Sequence, residues 1–198
     1  MYARKLNVEG VVEFSPEIHR DERGTFVSPF TGDALAAHTG RSVFSATQLS
    51  YSTSQRGTVR GIHFTRCPPG KAKFVCCLAG EAEDYVVDLR KGSPTFGQWD
   101  VVRLSGESVR GLYVPVGVGH GFAALRDDTL IAYMISGDYV PADEIALSPL
   151  DPEVGLPLPD GLDLLLSERD RTAPTLKELD ERGLLPDYAE ARRLDASL

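Results

Sequence analysis

Arg60, His63 and Lys73 are the residues of this chain whose types and spacing could do chemistry together. A guanidinium binds an anion, an imidazole moves a proton near neutral pH, and an ammonium holds developing negative charge. The first two lie in Arg60-Gly61-Ile62-His63-Phe64, and Lys73 follows ten residues after His63. Side chains alternate faces in an extended segment, so Arg60 and His63 would point to opposite sides. Gly61 is the residue that would permit a bulge and bring them to one side. The loop Thr65–Ala72 carries Pro68, Pro69 and Gly70, then Lys73-Phe74-Val75 opens a new apolar run. An ordinary strand with a tolerated histidine fits the same residues.

Two further features stand out. In Pro115-Val116-Gly117-Val118-Gly119-His120-Gly121-Phe122 a glycine-rich turn delivers His120 at the start of a strand. Tyr133 sits mid-strand among apolar residues, where its hydroxyl needs a partner, and Asp138-Tyr139 follows. A metal is the competing use for histidines in a β-barrel. His63 has only His120 to join it, and two imidazoles without a carboxylate at the right offset make a poor site, so no metal is expected.

The elements that must position these residues read as strands. From Val43 to Leu147 the apolar runs are Phe44–Leu49, Lys73–Leu78, Asp84–Leu89, Gln98–Leu104, Gly111–Val114, Gly121–Leu125 and Leu130–Ile135. Turn signals separate them: Ala79-Gly80-Glu81, Lys91-Gly92-Ser93-Pro94, Ser105-Gly106-Glu107 and Val116-Gly117-Val118-Gly119. Such spacing predicts an all-β sandwich or barrel, of which the jelly roll, with a cavity between its sheets, is one form. Before this region, Leu6–Val8 and Val11–Phe14 read as a strand or broken hairpin, and His19–Phe26 as a solvated charged loop. A short helix is expected over Asp33–His38, with Asp33 as N-cap, Gly40 as its stop and His38 exposed at its end. After Ser148, four prolines predict an extended surface connection, with Ser167-Glu168-Arg169-Asp170 in a charged loop. Thr175 and Glu178 form a capping box for a helix ending near Arg182-Gly183, and Pro186 starts another toward Leu194. No repeat or second core is visible, so residues 1–198 read as one domain.

Composition narrows the partners. The 198 residues carry a formal charge of -8 without a basic run, which argues against nucleic acid and against an anionic membrane surface. No apolar stretch approaches the ~18 residues of a membrane span, and the N-terminus lacks a signal peptide's apolar core. Cys67, Cys76 and Cys77 fit neither a disulfide framework nor a CxxC metal site. Cys76 and Cys77 are expected on opposite strand faces, in a protein of the reducing cytoplasm.

Thr58–Phe64, Gly80–Arg90 with Lys91–Trp99, Pro115–Phe122 and Ser148–Asp151 together resemble the dTDP-4-keto-6-deoxyhexose 3,5-epimerases. Their antibiotic-sugar relatives, which act at C3 or C5 only, are similar too. The resemblance covers about residues 5–190 and implies a cupin-like jelly roll, no cofactor, a dTDP-linked 4-keto-6-deoxyhexose as substrate, and a homodimer that exchanges N-terminal strands. It implies that His63 removes the proton beside the C4 ketone, paired with Asp170, that Lys73 holds the enolate oxygen, and that Tyr133 returns a proton from the other face. It places Arg23, from the other subunit, and Arg60 on the diphosphate or sugar. Phe26 and Gln48 fall near the base, His120 in the sugar pocket, Tyr139 and Glu144 on the nucleotide side, and Arg169 where the family has a lysine.

Ser28 stands where a glutamate is usual in the double epimerases, and Leu49-Ser50 replaces an acidic and amide pair. The run from Tyr133 to Asp138 departs from the usual sequence as well. These departures lean toward the antibiotic-sugar branch and toward C5 action on a modified sugar. Two alternatives stand beside this reading. One is a 3,4-ketoisomerase, which would need no acid on the opposite face. The other is a non-catalytic nucleotide-sugar-binding cupin, which would need no His63–Asp170 pair.

Overall fold

The computed structural model describes residues 1–40 and 45–198. Two antiparallel sheets face each other. The first runs in the order β1 (Tyr2–Lys5), β2 (Val12–Ser15), β10 (Gly111–Val114), β7 (Lys73–Ala79), β12 (Thr129–Ile135) and β5 (Gln48–Ser54). The second runs β13 (Glu144–Ala146), β6 (Thr58–Thr65), β11 (Val118–Ala124), β8 (Glu81–Asp88) and β9 (Trp99–Ser105). A short β14 (Leu165–Leu166) pairs with β6 in parallel. This is the jelly-roll sandwich expected from strand spacing. A separate hairpin, β3 (Ile18–Asp21) with β4 (Gly24–Val27), stands apart from both sheets.

Period-two alternation sorts the chain into three apolar layers. Between the sheets, Val75, Cys77, Leu112, Val114 and Ile131 of the first meet Ala82, Val86, Val102, Leu104, Val118 and Phe122 of the second. On the outer face of the first sheet, Phe14, Phe74, Cys76 and Tyr113 pack under α1 (Gly32–Thr39) and α4 (Tyr188–Asp195). On the outer face of the second, Tyr85, Val87, Ile62 and Phe64 are covered by Val154, Leu156, Leu158 and Leu164 of the proline-rich connection, and by Leu176 and Leu179 of α3 (Leu176–Glu181). Cys76 and Cys77 therefore do face opposite sides.

Several local expectations shift. The charged segment His19–Phe26 is not a loop but the β3–β4 hairpin, because its backbone pairs in register from Ile18 with Val27 to Asp21 with Gly24 across a tight turn. Thr31, not Asp33, caps α1, since its hydroxyl accepts from the Ala34 amide, while Gly40 ends the helix in the left-handed region as expected. Val118 and Gly119 belong to β11 and not to the turn before it. The strand expected over Phe44–Leu49 starts outside the described residues, and β5 begins at Gln48. Glu168–Arg171 is a short helix, α2, where a loop was expected: Ser167 caps it through the Asp170 amide. The Thr175–Glu178 capping box forms as read, and α4 starts after an Asp187 cap.

A buried ion pair ties the barrel's end to its N-terminus. Asp88 accepts from Arg90 Nε and Nη2, both at 2.8 Å, and from the Ser93 and Thr95 hydroxyls, both at 2.6 Å. Arg90 Nη2 also donates to the Glu9 carbonyl at 2.7 Å. Burial alone would raise the Asp88 pKa, but these donors outweigh it and hold the carboxyl below its ordinary value. Removing one partner strands the other in a dry environment. Asp88→Ala is expected to lower unfolding stability by about 3–5 kcal/mol, measured as a shifted urea midpoint with an unchanged slope.

Candidate active site

The site lies between the sheets at the end where the inward rows turn polar. On β7 the inward row is Lys73, Val75, Cys77, and on β12 it is Ile131, Tyr133, Ile135. Across the gap, β8 contributes Asp84 and β11 contributes His120. A cavity of about 370 Å³ is lined by Arg60, His63, Lys73, His120, Tyr133 and Asp170, with Tyr139 and Arg169 at its border. A second lobe of about 220 Å³ shares His63, Lys73, Tyr133, Tyr139 and Arg169 and adds Gln48, Lys71 and Glu144.

The bulge that Gly61 would permit is present. His120 lies opposite His63 and Phe122 opposite Arg60, so Gly61 and Ile62 together face Gly121 alone. The extra residue turns Arg60 and His63 onto one side. Gly61 has φ +102°, and a Cβ there would sit 2.6 Å from the His120 carbonyl oxygen. Ile62 is driven outward into the layer on the far face and pairs with Leu147 through both backbone groups.

His63 Nε2 and Asp170 Oδ1 are 2.6 Å apart, with 29% of the His63 side chain exposed and 4% of Asp170. Helix α2 exists to aim that carboxylate. Ser167 Oγ donates to Asp170 Oδ2 at 2.9 Å and accepts from the Asp170 amide at 3.1 Å. Burial pushes the Asp170 pKa up, but His63, Ser167 and the Gly61 amide outweigh it, so the carboxyl lies below its ordinary value.

The opposite wall is built differently. Tyr133 OH lies 3.1 Å from Ser52 Oγ, and burial drives its pKa above the ordinary phenol value, only partly countered by that bond. Lys73 Nζ reaches the His63 carbonyl at 3.5 Å, and lost hydration lowers its pKa. His120 Nε2 is 3.0 Å from both oxygens of buried Asp84 and packs edge-on against Tyr133, with ring centres 6.1 Å apart. Arg60 Nε donates to Ser54 Oγ at 3.1 Å. Gln48 Oε1 accepts from the Tyr139 amide at 2.7 Å, and Arg169 Nη2 donates to the Glu144 carbonyl at 3.0 Å.

Ten of the twelve residues expected at the site thus meet around the two lobes. Arg23 and Phe26 do not. They sit on the β3–β4 hairpin, Arg23 paired with Asp21 through Nε at 3.1 Å and Phe26 72% exposed. Sequence reasoning missed Asp84, which holds His120, along with Ser52 and Ser167. Asp84 was read as the first residue of a strand, where a carboxylate is unremarkable. The strand in fact starts at Glu81 and places Asp84 inward between Ala82 and Val86. Among the described residues no group of three His, Cys, Asp or Glu side chains converges as a metal donor set.

A model of the dTDP-4-dehydrorhamnose 3,5-epimerase family matches residues 5–178. The chain belongs to that family. It is 47% identical to a Streptomyces niveus dTDP-4-dehydrorhamnose 3-epimerase, over 96% of this chain and 90% of the relative. It is 42% identical to a Streptomyces bikiniensis dTDP-4-dehydro-6-deoxyglucose 3-epimerase, over 92% of this chain and 93% of the relative. Among solved structures, the Mycobacterium tuberculosis rmlC epimerase superposes with a TM-score of 0.95 at 40% identity, covering 100% of this chain and 99% of that one. The S. bikiniensis 3'-monoepimerase ChmJ, in complex with dTDP-quinovose, gives 0.92 at 40% identity, covering 97% and 96%.

The lowered Asp170 pKa has a definite sign for this epimerase-family fold. A depressed carboxylate adds stability above its unfolded pKa, about 3.9, and loses it as pH falls through the lower folded value. Wild type and Asp170→Asn should therefore differ in unfolding free energy at neutral pH, with the gap narrowing below about pH 4. Urea melts across that range measure it, and a gap independent of pH contradicts the assignment.

Proposed function

We propose that this chain inverts C3 of a dTDP-linked 4-keto-6-deoxyhexose, with C5 open to the same chemistry. His63 on one sheet, paired with Asp170 of α2 and facing Tyr133 on the other sheet across a cavity that Lys73 lines, is the observation that carries the reading. Two similar relatives are named for C3 alone, which moves the preference from C5 to C3.

Each step follows from this reading. With Nε2–H donating to Asp170, His63 keeps its Nδ1 lone pair free as the base, and the carboxylate stabilises the imidazolium that forms. The electrons left on carbon move into the C4 carbonyl, and the Lys73 ammonium stabilises the enolate oxygen. Tyr133, kept a neutral phenol by burial, delivers a proton from the opposite sheet. Base and acid on facing walls are what inversion requires. No electron is lost or gained overall, so the reaction calls for no nicotinamide.

Arg60 takes the diphosphate or sugar, and His120, held by Asp84, borders the sugar beside Tyr133. Gln48, Tyr139, Glu144 and Arg169 form the nucleotide side of the second lobe. Arg23 and Phe26 reach this side from the partner of a homodimer, because an exposed hairpin carries both away from their own cavity. No helix among the described residues is long and apolar enough to cross a membrane. Three free cysteines, their thiols pushed up to about 11 by burial, suit the reducing cytoplasm in which we place the protein.

NMR of the 4-keto sugar in D₂O separates the roles. His63→Asn should abolish deuterium entry at C3, and undiminished entry would rule out the mechanism. Tyr133→Phe should still exchange the proton on the His63 face, while net inversion falls about 10²–10⁴-fold.

Subunit exchange has its own readout. Mixing and refolding Arg23→Ala with His63→Asn, each nearly inactive alone, should restore about a quarter of wild-type activity, because half of random dimers hold one intact site. An Arg23 that serves its own subunit gives no recovery.

A further inference from the structure

Lys71 is a buried cation at the site with no part in the steps above. Its side chain is 6% exposed, that of its partner Glu144 is 9% exposed, and Nζ lies 3.1 Å from Glu144 Oε1. The same oxygen accepts from Thr65 Oγ1 at 3.0 Å. Lys71 is held there by design of the backbone. Ser136 Oγ accepts from the Ala72 amide at 2.9 Å, and the Ser136 amide donates to the Ala72 carbonyl at 3.1 Å. Gly137 leaves room for the lysine stem, since a Cβ there would sit 3.4 Å from Lys71 Cε. Lys71 and Lys73, two apart at the start of β7, both line the second lobe.

Lys73 has a different environment. Among the described residues it makes no hydrogen bond to a carboxylate, and its ammonium points to the His63 carbonyl at the junction of the two lobes. Of its charged neighbours, Glu144 on β13 attracts it most strongly, followed by repulsion from Lys71, attraction to Asp84 on β8 and repulsion from Arg169 on α2. Asp84 is already engaged by His120 on β11, and Asp170 by His63 on β6. Tyr133 on β12 and Tyr139 complete the lining. Glu144 is therefore the carboxylate most able to capture Lys73, and Lys71 occupies it.

We propose that Lys71 is a positioning residue: by engaging Glu144 it keeps that carboxylate off Lys73, leaving the Lys73 ammonium directed at the reacting oxygen. An ammonium already paired with a carboxylate would give up that pair on meeting an enolate, and its stabilisation of the oxyanion would shrink. This rests on the assignment of Lys73 to the enolate oxygen, and the test is arranged so that the two can fail separately.

The full-length protein carrying lysine labelled with ¹³C at Cε is titrated by NMR, with the Lys73 signal assigned through Lys73→Met. Lys71→Met removes a repelling cation and frees Glu144, so Lys73 should titrate about one unit or more higher. Adding Glu144→Gln should bring it back toward or below its starting value, and Lys71→Arg should leave it near wild type. A Lys73 titration that stays put in folded Lys71→Met overturns the proposal. Kinetics supply the second arm. Lys71→Met should lower kcat more than it raises KM and move the alkaline limb of kcat/KM upward, with Lys71→Arg recovering most of the loss. If the NMR shift appears while Lys73→Met keeps full activity, the electrostatic coupling stands and the enolate role of Lys73 is what fails.

Discussion

Everything at this site depends on one extra residue in β6. The Gly61 bulge turns Arg60 and His63 to the same side, and it does so where the backbone of β11 comes within reach of any Cβ. The same distortion frees the Gly61 amide from the ladder and gives it to Asp170, so the bulge both presents His63 to the cavity and helps orient its carboxylate partner. A regular strand would have buried one of the two polar side chains in the outer layer, where Ile62 and Phe64 now sit. The glycine thus links backbone geometry directly to which side chains reach the cavity.

Charge in a sandwich interior is tolerated only when it is paired or bonded. Here each buried carboxylate near the cavity has a designated partner: Asp170 with His63, Asp84 with His120, Glu144 with Lys71. The two imidazoles are thereby held in fixed orientations by opposite strategies. Asp170 is kept readily ionised by three donors, His63, Ser167 and the Gly61 amide, whereas burial raises the Asp84 pKa despite His120 and Lys73. A readily ionised carboxylate suits the role proposed for His63, which becomes cationic on taking a proton. A deeply buried one suits an imidazole packed against Tyr133 in the cavity wall.

Much of this was readable from residue order, because period-two patterning encodes both the sheets and the inward rows. The strands from Lys73 to Ile135 fell nearly where the apolar runs placed them, and Gly61 announced its bulge through the three-residue offset of Arg60 and His63. What escaped lies where side-chain bonding overrides composition. Ser167 converts a charged stretch into a turn of helix, Thr31 outcompetes Asp33 as a cap, and the charged residues of His19–Phe26 hide a hairpin whose strands are exposed on both faces. Asp84 escaped for a related reason: strand ends are set by hydrogen bonds that continue through charged residues, so β8 starts three residues before the Asp84–Leu89 run and Asp84 is an inward mid-strand carboxylate, not a strand end.

The hairpin marks the limit of what one chain can build. A two-stranded ribbon with no sheet or helix behind it is marginal in water, and this one exposes 72% of Phe26. Beside the cavity, edge strand β5 presents Leu49 and Tyr51 at 75% and 73% exposure, on the outer face of a sheet elsewhere covered by α1 and α4. An apolar sheet face at an open edge and a hairpin that exposes Phe26 without support are complementary deficits. A two-fold arrangement that laid the hairpin of one subunit across the β5 side of the other would relieve both and carry a guanidinium toward the second lobe. Dimerisation would then be a requirement of the proposed nucleotide site itself, while the proposed catalytic group of His63, Asp170, Lys73 and Tyr133 would remain the product of a single chain.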